Sequence, residues 1–417
     1  VEQHSQIGGL ATYFTRKNHI FDVALHGFPV GMKKTLRKYW SKELSDHIIQ
    51  VKSVRFDNPQ FSLETTFTKE DFTEILVSKF GIERATVDAF YSELDFMNYY
   101  DDTGNTNREL FEKYFPGRND VIRLLMEPIT YANGSNLDEP AISYGIVFSN
   151  FMNKGVYTFL GGTNIMLRLM AEELLANKVD LCLNAKLQKL IIRDNAVKGA
   201  IINGVEVSSK AVVSNGSLHN TIFDWAGEDK FKTDFIAKIK NVRLNNSSCQ
   251  VYIGIKKSEK IDFIGDLIFS SEYPVFDPQA IVSKKITSRT FSVYYPDIRP
   301  DREDYTIVAS MNANYNDWAN LTSDQYKQSK KEIIDNALDS LQKYIPAIHD
   351  KIDYVEAATP LTFERYTLHQ KGASFGTKFE GLELSMKLFE QIAGLYHTGS
   401  VGIIMSGWLG AANYGVI

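Results

Sequence analysis

Between Leu395 and Gly415 the chain reads LYHTGSVGIIMSGWLGAANYG. The spacing predicts a short strand, Leu395–Thr398, ending at Gly399-Ser400, then a glycine-interrupted turn and a helix that starts near Trp408. Such a helix start offers N–H groups without intrahelical acceptors and a partial positive charge, which suits a phosphate or the anionic edge of a ring. A buried glycine-rich helix that only packs closely is the other reading of the same residues.

Around this stretch lies a chain of 417 residues and 47.3 kDa, 44% of it hydrophobic, with 46 Lys and Arg against 51 Asp and Glu. Its net charge is −5. That length predicts two or three structural units, and the balance excludes a disordered chain and a broad nucleic-acid-binding surface. Lys33-Lys34 reads as a solvated pair. The two cysteines, Cys182 and Cys249, give neither a disulfide framework nor metal-ligand spacing, so a reducing, cytoplasmic setting is expected. No apolar run reaches the ~20 residues of a membrane-spanning helix. A soluble or peripheral protein is therefore expected.

The middle of the chain alternates amphipathic helices with short strands. A helix is predicted from Thr68 to about Phe80, with Thr68 as N-cap and Asp71 three residues on. Another is predicted over Ser323–Ile345, stopped by Pro346. Gln250–Ile255 and Tyr305–Met311 read as strands of a mostly antiparallel sheet. Leu187–Ile192, Gly199–Ile202 and Ala211–Val213 read as three more, with a hairpin turn at Asn203-Gly204. The aromatic residues Phe90, Tyr91, Phe96, Tyr99 and Tyr100 suit a helix core better than a tunnel wall, and Asp101-Asp102 reads as a solvated turn.

At the other end of the chain, Glu2 precedes Ile7-Gly8-Gly9 and Phe21-Asp22. A strand-ending carboxylate can accept hydrogen bonds from a ribose, and paired glycines let backbone approach a diphosphate. A plain turn is the bland alternative.

Taken in order, these features resemble the flavoprotein family of phytoene desaturase, carotenoid isomerase and all-trans-retinol saturase. FDVALHG (Phe21–Gly27) resembles that family's FD-x-G-x-H stretch. Gly161-Gly162-Thr163, followed by a predicted helix at Asn164–Ala176, is similar to its Pro-Gly-Gly segment, with Leu160 in place of proline. Ala357-Ala-Thr-Pro360, Arg365, Gly372 and Gly376 are similar to the segment on the substrate side of the flavin. The resemblance implies an α/β (α+β) fold: a Rossmann-like, amine oxidase-like FAD-binding domain with an inserted substrate domain of antiparallel sheet plus helices. It assigns residues 1–33, 151–219 and 351–417 to the FAD domain, and 34–150 and 220–350 to the substrate domain. The first strand and its G-x-G-x-x-G turn, which the family places before the Glu, are absent from this sequence, so a truncated chain is expected.

The implied cofactor is FAD. Its adenosine ribose falls to Glu2, its diphosphate and ribityl path to Gly8 and Gly9, and its adenine to the strand at Leu187. Its closing contacts fall to Gly399, Ser400, Gly407, Trp408 and Leu409. Ser400 stands where the family carries an acid, and a hydroxyl makes the weaker hydrogen bond.

The implied activity is hydride transfer to or from the flavin at C=C or C–C bonds of a lipophilic isoprenoid, carotenoid-like or retinoid-like. The enzyme would be a desaturase, saturase or isomerase. His26, Arg365, His369 and His397 are the catalytic candidates, although such chemistry asks more for a dry pocket than for an acid–base pair. Expected partners are the lipophilic substrate, a peripheral membrane contact, and NAD(P)H or a quinone; no nucleic acid and no metal are expected. Two rivals remain: a flavin-free prenyl-lipid or protein carrier of the GDP dissociation inhibitor type, and an amine oxidase relative. The second would need an aromatic cage, for which Trp408 is the visible candidate.

Overall fold

The computed structural model describes residues 1–24, 26–98, 104–152 and 154–417. Its largest sheet has seven strands in the order 352–358, 247–255, 306–313, 288–294, 267–271, 54–57, 62–65. Neighbours are antiparallel except 267–271 with 54–57. Register puts Val251, Phe291, Ala309 and Ala357 in one row, on the apolar face covered by helix Ser323–Leu341. That helix starts at Thr322 with a reciprocal capping box to Gln325. It ends at Leu341, four residues before the expected stop, because the chain must leave the helical region ahead of Pro346.

The opposite face is divided along its length. At one end Leu267, Phe269, Val54 and Phe56 join the core of five helices spanning Lys69–Met152. At the other end the hairpin of Tyr13–Arg16 and His19–Asp22 lays Phe14 and Phe21 on Tyr252, Tyr294 and Ala358. Thr68 caps the first of the five helices, as expected, by accepting from Asp71 N. The Asp71 carboxylate instead accepts from Thr66 N at 2.7 Å and Thr65 Oγ1 at 2.6 Å. Phe90 and Tyr91 are core residues and Phe96 is 83% exposed. Tyr99, Tyr100 and the Asp101-Asp102 turn lie outside the described residues.

Strands 187–193, 196–202 and 205–208 form a small antiparallel sheet, with Asn203-Gly204 as its hairpin turn. A parallel pair, Val212–Ser214 with Leu395–His397, carries the chain to Gly399. No helix among the described residues is long and apolar enough to cross a membrane.

Two buried ionic groups fasten the hairpin. The Asp22 carboxylate, fully buried, accepts from Arg299 Nη2 at 2.5 Å and from Thr163 N at 3.0 Å. Arg299 Nη1 also donates to Ile20 O at 2.7 Å. The hairpin, the loop after strand 288–294 and the start of helix Gly162–Ala176 therefore meet at one carboxylate. Gly162 is required there, because a Cβ would lie 2.8 Å from the guanidinium in a backbone of φ +76°. Breaking a buried pair leaves an uncompensated charge, so Asp22→Ala should cost about 3–5 kcal/mol in urea unfolding. A loss below about 1 kcal/mol would show that the pair does not fasten these elements.

His19 places Nδ1 3.0 Å from Asp304 and Nε2 2.7 Å from Asp353. The Asp304 hydrogen bond leads the effects that raise its pKa above the ordinary 6.5, against desolvation. The sign follows: stability from these bonds is complete below pH 6.5 and is lost as pH rises through the folded-state pKa. Urea midpoints should fall from about pH 6 to about pH 9, and His19→Gln should flatten that slope; an equal slope in the variant would exclude His19 as its source.

Candidate cofactor and substrate site

Helix Gly407–Tyr414 begins at Ser406, whose hydroxyl does not cap it but donates to Phe375 O at 3.2 Å and to Gly402 O. The N–H groups of Gly407, Trp408 and Leu409 have no acceptor among the described residues, whereas Gly410 N–H is the first to turn back into the helix. Gly407 is exposed with φ +66°, and Phe375 Cε1 at 3.7 Å is the nearest atom a Cβ would meet. Three donors at the positive end of a helix thus lie beside open space at Gly407. This is the arrangement that the sequence predicts for holding an anionic ring edge.

The wall of that space follows from two contacts. Trp408 Nε1 donates to Ala24 O at 3.3 Å, which seats the segment after Asp22 beside the helix start. Two residues on, His26 reaches the large sheet: Nδ1 is 2.8 Å from Ser292 Oγ, and Nε2 is 3.3 Å from Gln250 Nε2 and 3.4 Å from Ser310 Oγ. Gln250 Nε2 can only donate, so His26 Nε2 accepts and Nδ1–H donates to Ser292. Gln250 Oε1 accepts in turn from Tyr252. Burial of the ring pushes the His26 pKa down to about 4, so the imidazole is neutral at physiological pH. Ser310 is the one partly exposed residue of strand 306–313.

The other residues singled out in the sequence lie at the two ends of the chain. Glu2 N donates to Cys182 O and Glu2 O accepts from Ala185 N, each at 2.8 Å, which sets Glu2 beside the strand beginning at Leu187. Its Oε1 accepts from His4 N at 2.9 Å. Gly8 packs against Leu167 of helix Gly162–Ala176, and Gly9 is exposed with open space above it. Gly399 is buried under Gly216 O, and Ser400 is partly buried against Gly376.

Of the catalytic candidates, His26 is the one that meets polar side chains of the large sheet. Arg365 is exposed, with its guanidinium over the Tyr366 ring. His369 Nδ1 donates to Ala373 O at 3.1 Å, and burial lowers its pKa. His397 is buried between Gly216 O, 2.9 Å from Nε2, and Ser385 Oγ, 2.6 Å from Nδ1. The last two hold backbone turns. Gln250, Ser292 and Ser310 were not among the sequence candidates. Their signal was polar residues at alternate positions of otherwise apolar strands, which marks a sheet face turned to something other than a hydrophobic core.

If the free N–H groups hold a flavin edge, Gly407→Val should lower the flavin reduction potential or abolish flavin binding, because each preorganised donor is worth about 2.7–4 kcal/mol toward developing charge. Potentiometric titration of the folded variant checks this. An unchanged potential with flavin bound would make Gly407 a packing residue only.

A family model for flavin containing amine oxidoreductases matches residues 1–399. The 4,4'-diapolycopen-4-al dehydrogenase of Metabacillus indicus is 22% identical over 255 residues, covering 59% of this chain and 48% of that protein. The all-trans-retinol 13,14-reductase of Danio rerio is 22% identical over 330 residues, covering 70% and 54%. The chain thus spans about half the length of these curated relatives. Among solved structures, an oxidoreductase from Methanosarcina mazei superposes with a TM-score of 0.65 at 13% identity, covering 96% of this chain and 88% of that one. The match over residues 1–399 shows the family: the chain belongs to the flavin containing amine oxidoreductases, whose cofactor is FAD.

Proposed function

We propose that the protein is an FAD-dependent oxidoreductase acting on C=C or adjacent C–C bonds of a lipophilic isoprenoid, carotenoid-like or retinoid-like. The observation that carries this reading is the neutrality of the polar patch on the sheet face. His26 is uncharged, and its partners Gln250, Ser292 and Ser310 are neutral hydroxyl and amide groups. The buried carboxylate four residues before it, Asp22, is already bound to Arg299 and Thr163. A substrate without charge fits such a patch, whereas a protonated amine would be desolvated there without an anionic partner.

In this reading the Trp408 and Leu409 N–H groups hold the pyrimidine edge of the flavin, Glu2 binds the ribose, and Gly8 and Gly9 border the diphosphate and ribityl path. Leu187 meets the adenine, and Gly399 and Ser400 close the site. FAD supplies the hydride chemistry, in either direction or with no net redox change. The protein's part is to position the substrate and exclude water. The His26–Ser292 and His26–Gln250 bonds fix the ring, so its role is to shape the site, not to shuttle protons. NAD(P)H or a quinone would serve as the transient redox partner.

The amine oxidase rival is less favoured because the Trp408 indole is not free to form a cage. It donates to Ala24 O and packs with the Phe28, Met32 and Phe159 cluster. The flavin-free carrier rival leaves the open donors at Gly407 without a use.

Anaerobic mixing of the FAD-loaded protein with carotenoids, retinoids and aliphatic amines tests the proposal. Oxidised flavin should be bleached by an isoprenoid, or reduced flavin reoxidised by one. The rate should be flat from about pH 5.5 to pH 9, because a group titrating near 4 contributes no limb there. Reduction by amines alone, or a limb near pH 6.5 that His26→Gln removes, would contradict it.

A further inference from the structure

Helix Gly31–Tyr39 has one face fixed and one face free. Met32, Thr35 and Leu36 are buried against Phe159, Met166 and the closing helix, where Gly31 meets Leu409 and Thr35 Oγ1 donates to Asn413 Oδ1 at 2.9 Å. Lys33, Lys34, Arg37 and Lys38 are exposed on the other face. Among the described residues none of the four has an ion-pair partner. Lys38 lies over the Tyr39 ring at 4.6 Å, and Lys42 pairs with Asp46. From Lys33 to Asp46 there are five cations and two carboxylates, a local charge of +3 in a chain whose net charge is −5. Tyr39 at the end of the helix is 44% exposed. The contacts Gly31–Leu409 and Thr35–Asn413 run in parallel, so this end lies on the same side as the exposed Val416 and Ile417.

We propose that this face docks the protein on an anionic phospholipid surface. The sequence alone had read Lys33-Lys34 as a solvated pair. The fold adds Arg37 and Lys38 to the same face, leaves Asp46 as the carboxylate that feels Lys33 and Arg37 while it pairs with Lys42, and sets apolar side chains at one end. Cations with an amphipathic aromatic rim are the chemistry of a surface-lying helix: the charges meet phosphate headgroups and the rim enters the interface. A bilayer is favoured over a protein partner because four cations without ion-pair partners among the described residues share one exposed helix face, complementary to a continuous layer of anionic headgroups. The docked helix shares Leu409 with the helix whose start forms the cofactor site, so membrane and site would be joined by one packed layer. The inference does not depend on which substrate the site turns over.

The test is co-flotation of the FAD-loaded protein with vesicles of phosphatidylcholine, with and without phosphatidylglycerol, at low and high salt. Wild type should float with phosphatidylglycerol vesicles at low salt and be released by high salt. Each cation should contribute about fivefold to partitioning. The combined Lys33→Gln, Lys34→Gln, Arg37→Gln, Lys38→Gln variant should therefore lose about several-hundred-fold. These are exposed helix positions and glutamine is a good helix former, so its circular dichroism and flavin spectrum should match wild type. Equal binding to phosphatidylcholine alone, undiminished binding by the variant, or tighter binding to duplex DNA than to the anionic vesicles would overturn the proposal.

Discussion

The Asp22 carboxylate is the constraint on which the rest of the architecture depends. It is fully buried and holds Arg299 from the sheet's loop and Thr163 N at a helix start. Burial pushes such a carboxyl up, while the guanidinium and the N–H pull it down toward the charged form. A buried ionic group of this kind tolerates few alternative arrangements, because each leaves a charge without a partner. It therefore fixes where the chain goes next. Among the described residues that follow, Ala24 and His26 take up contacts on opposite sides, with the closing helix and with the large sheet.

What was legible in the sequence was local, and what was not was long-range. The closing helix could be read because glycines, a short strand and a helical pattern follow one another within 21 residues. The Asn203-Gly204 turn was legible for the same reason, since its requirement for positive φ is met by the two residues themselves. The strand after it, Val205–Ser208, was missed because it is exposed throughout and carries no burial signal. Asp22 with Arg299 spans 277 residues and Asp22 with Thr163 spans 141. No spacing rule joins such positions, so the Gly161-Gly162 doublet could be matched to a family segment without its physical reason, which is that Gly162 makes room for Arg299. The histidines illustrate the same limit. His26, His369 and His397 are indistinguishable as letters, and only their hydrogen-bond partners separate a contact on the sheet face from two backbone clamps.

The site's chemistry divides cleanly between its two sides. On one side a helix start offers three N–H donors and a positive dipole end, which favour charge accumulating on a bound ring. On the other a sheet face presents hydroxyls, an amide and a neutral imidazole, which favour none. On the proposed reading this asymmetry lets a cofactor change its charge while the substrate stays neutral. The basic outer face of helix Gly31–Tyr39 lies one helix away from those donors, so the surface that would meet lipid and the edge that would meet the flavin rest on the same few side chains, Leu409 among them.

The central claim is that the N–H groups of residues 407–409 face the flavin, and amide hydrogen exchange across this segment tests it most directly. Without flavin these amides have no acceptor among the described residues and should exchange rapidly. On addition of FAD, Trp408 and Leu409 should become protected, while the exposed strand Val205–Ser208 should not change. Protection confined to other segments, with FAD bound and the 407–409 amides still exchanging rapidly, would contradict the account.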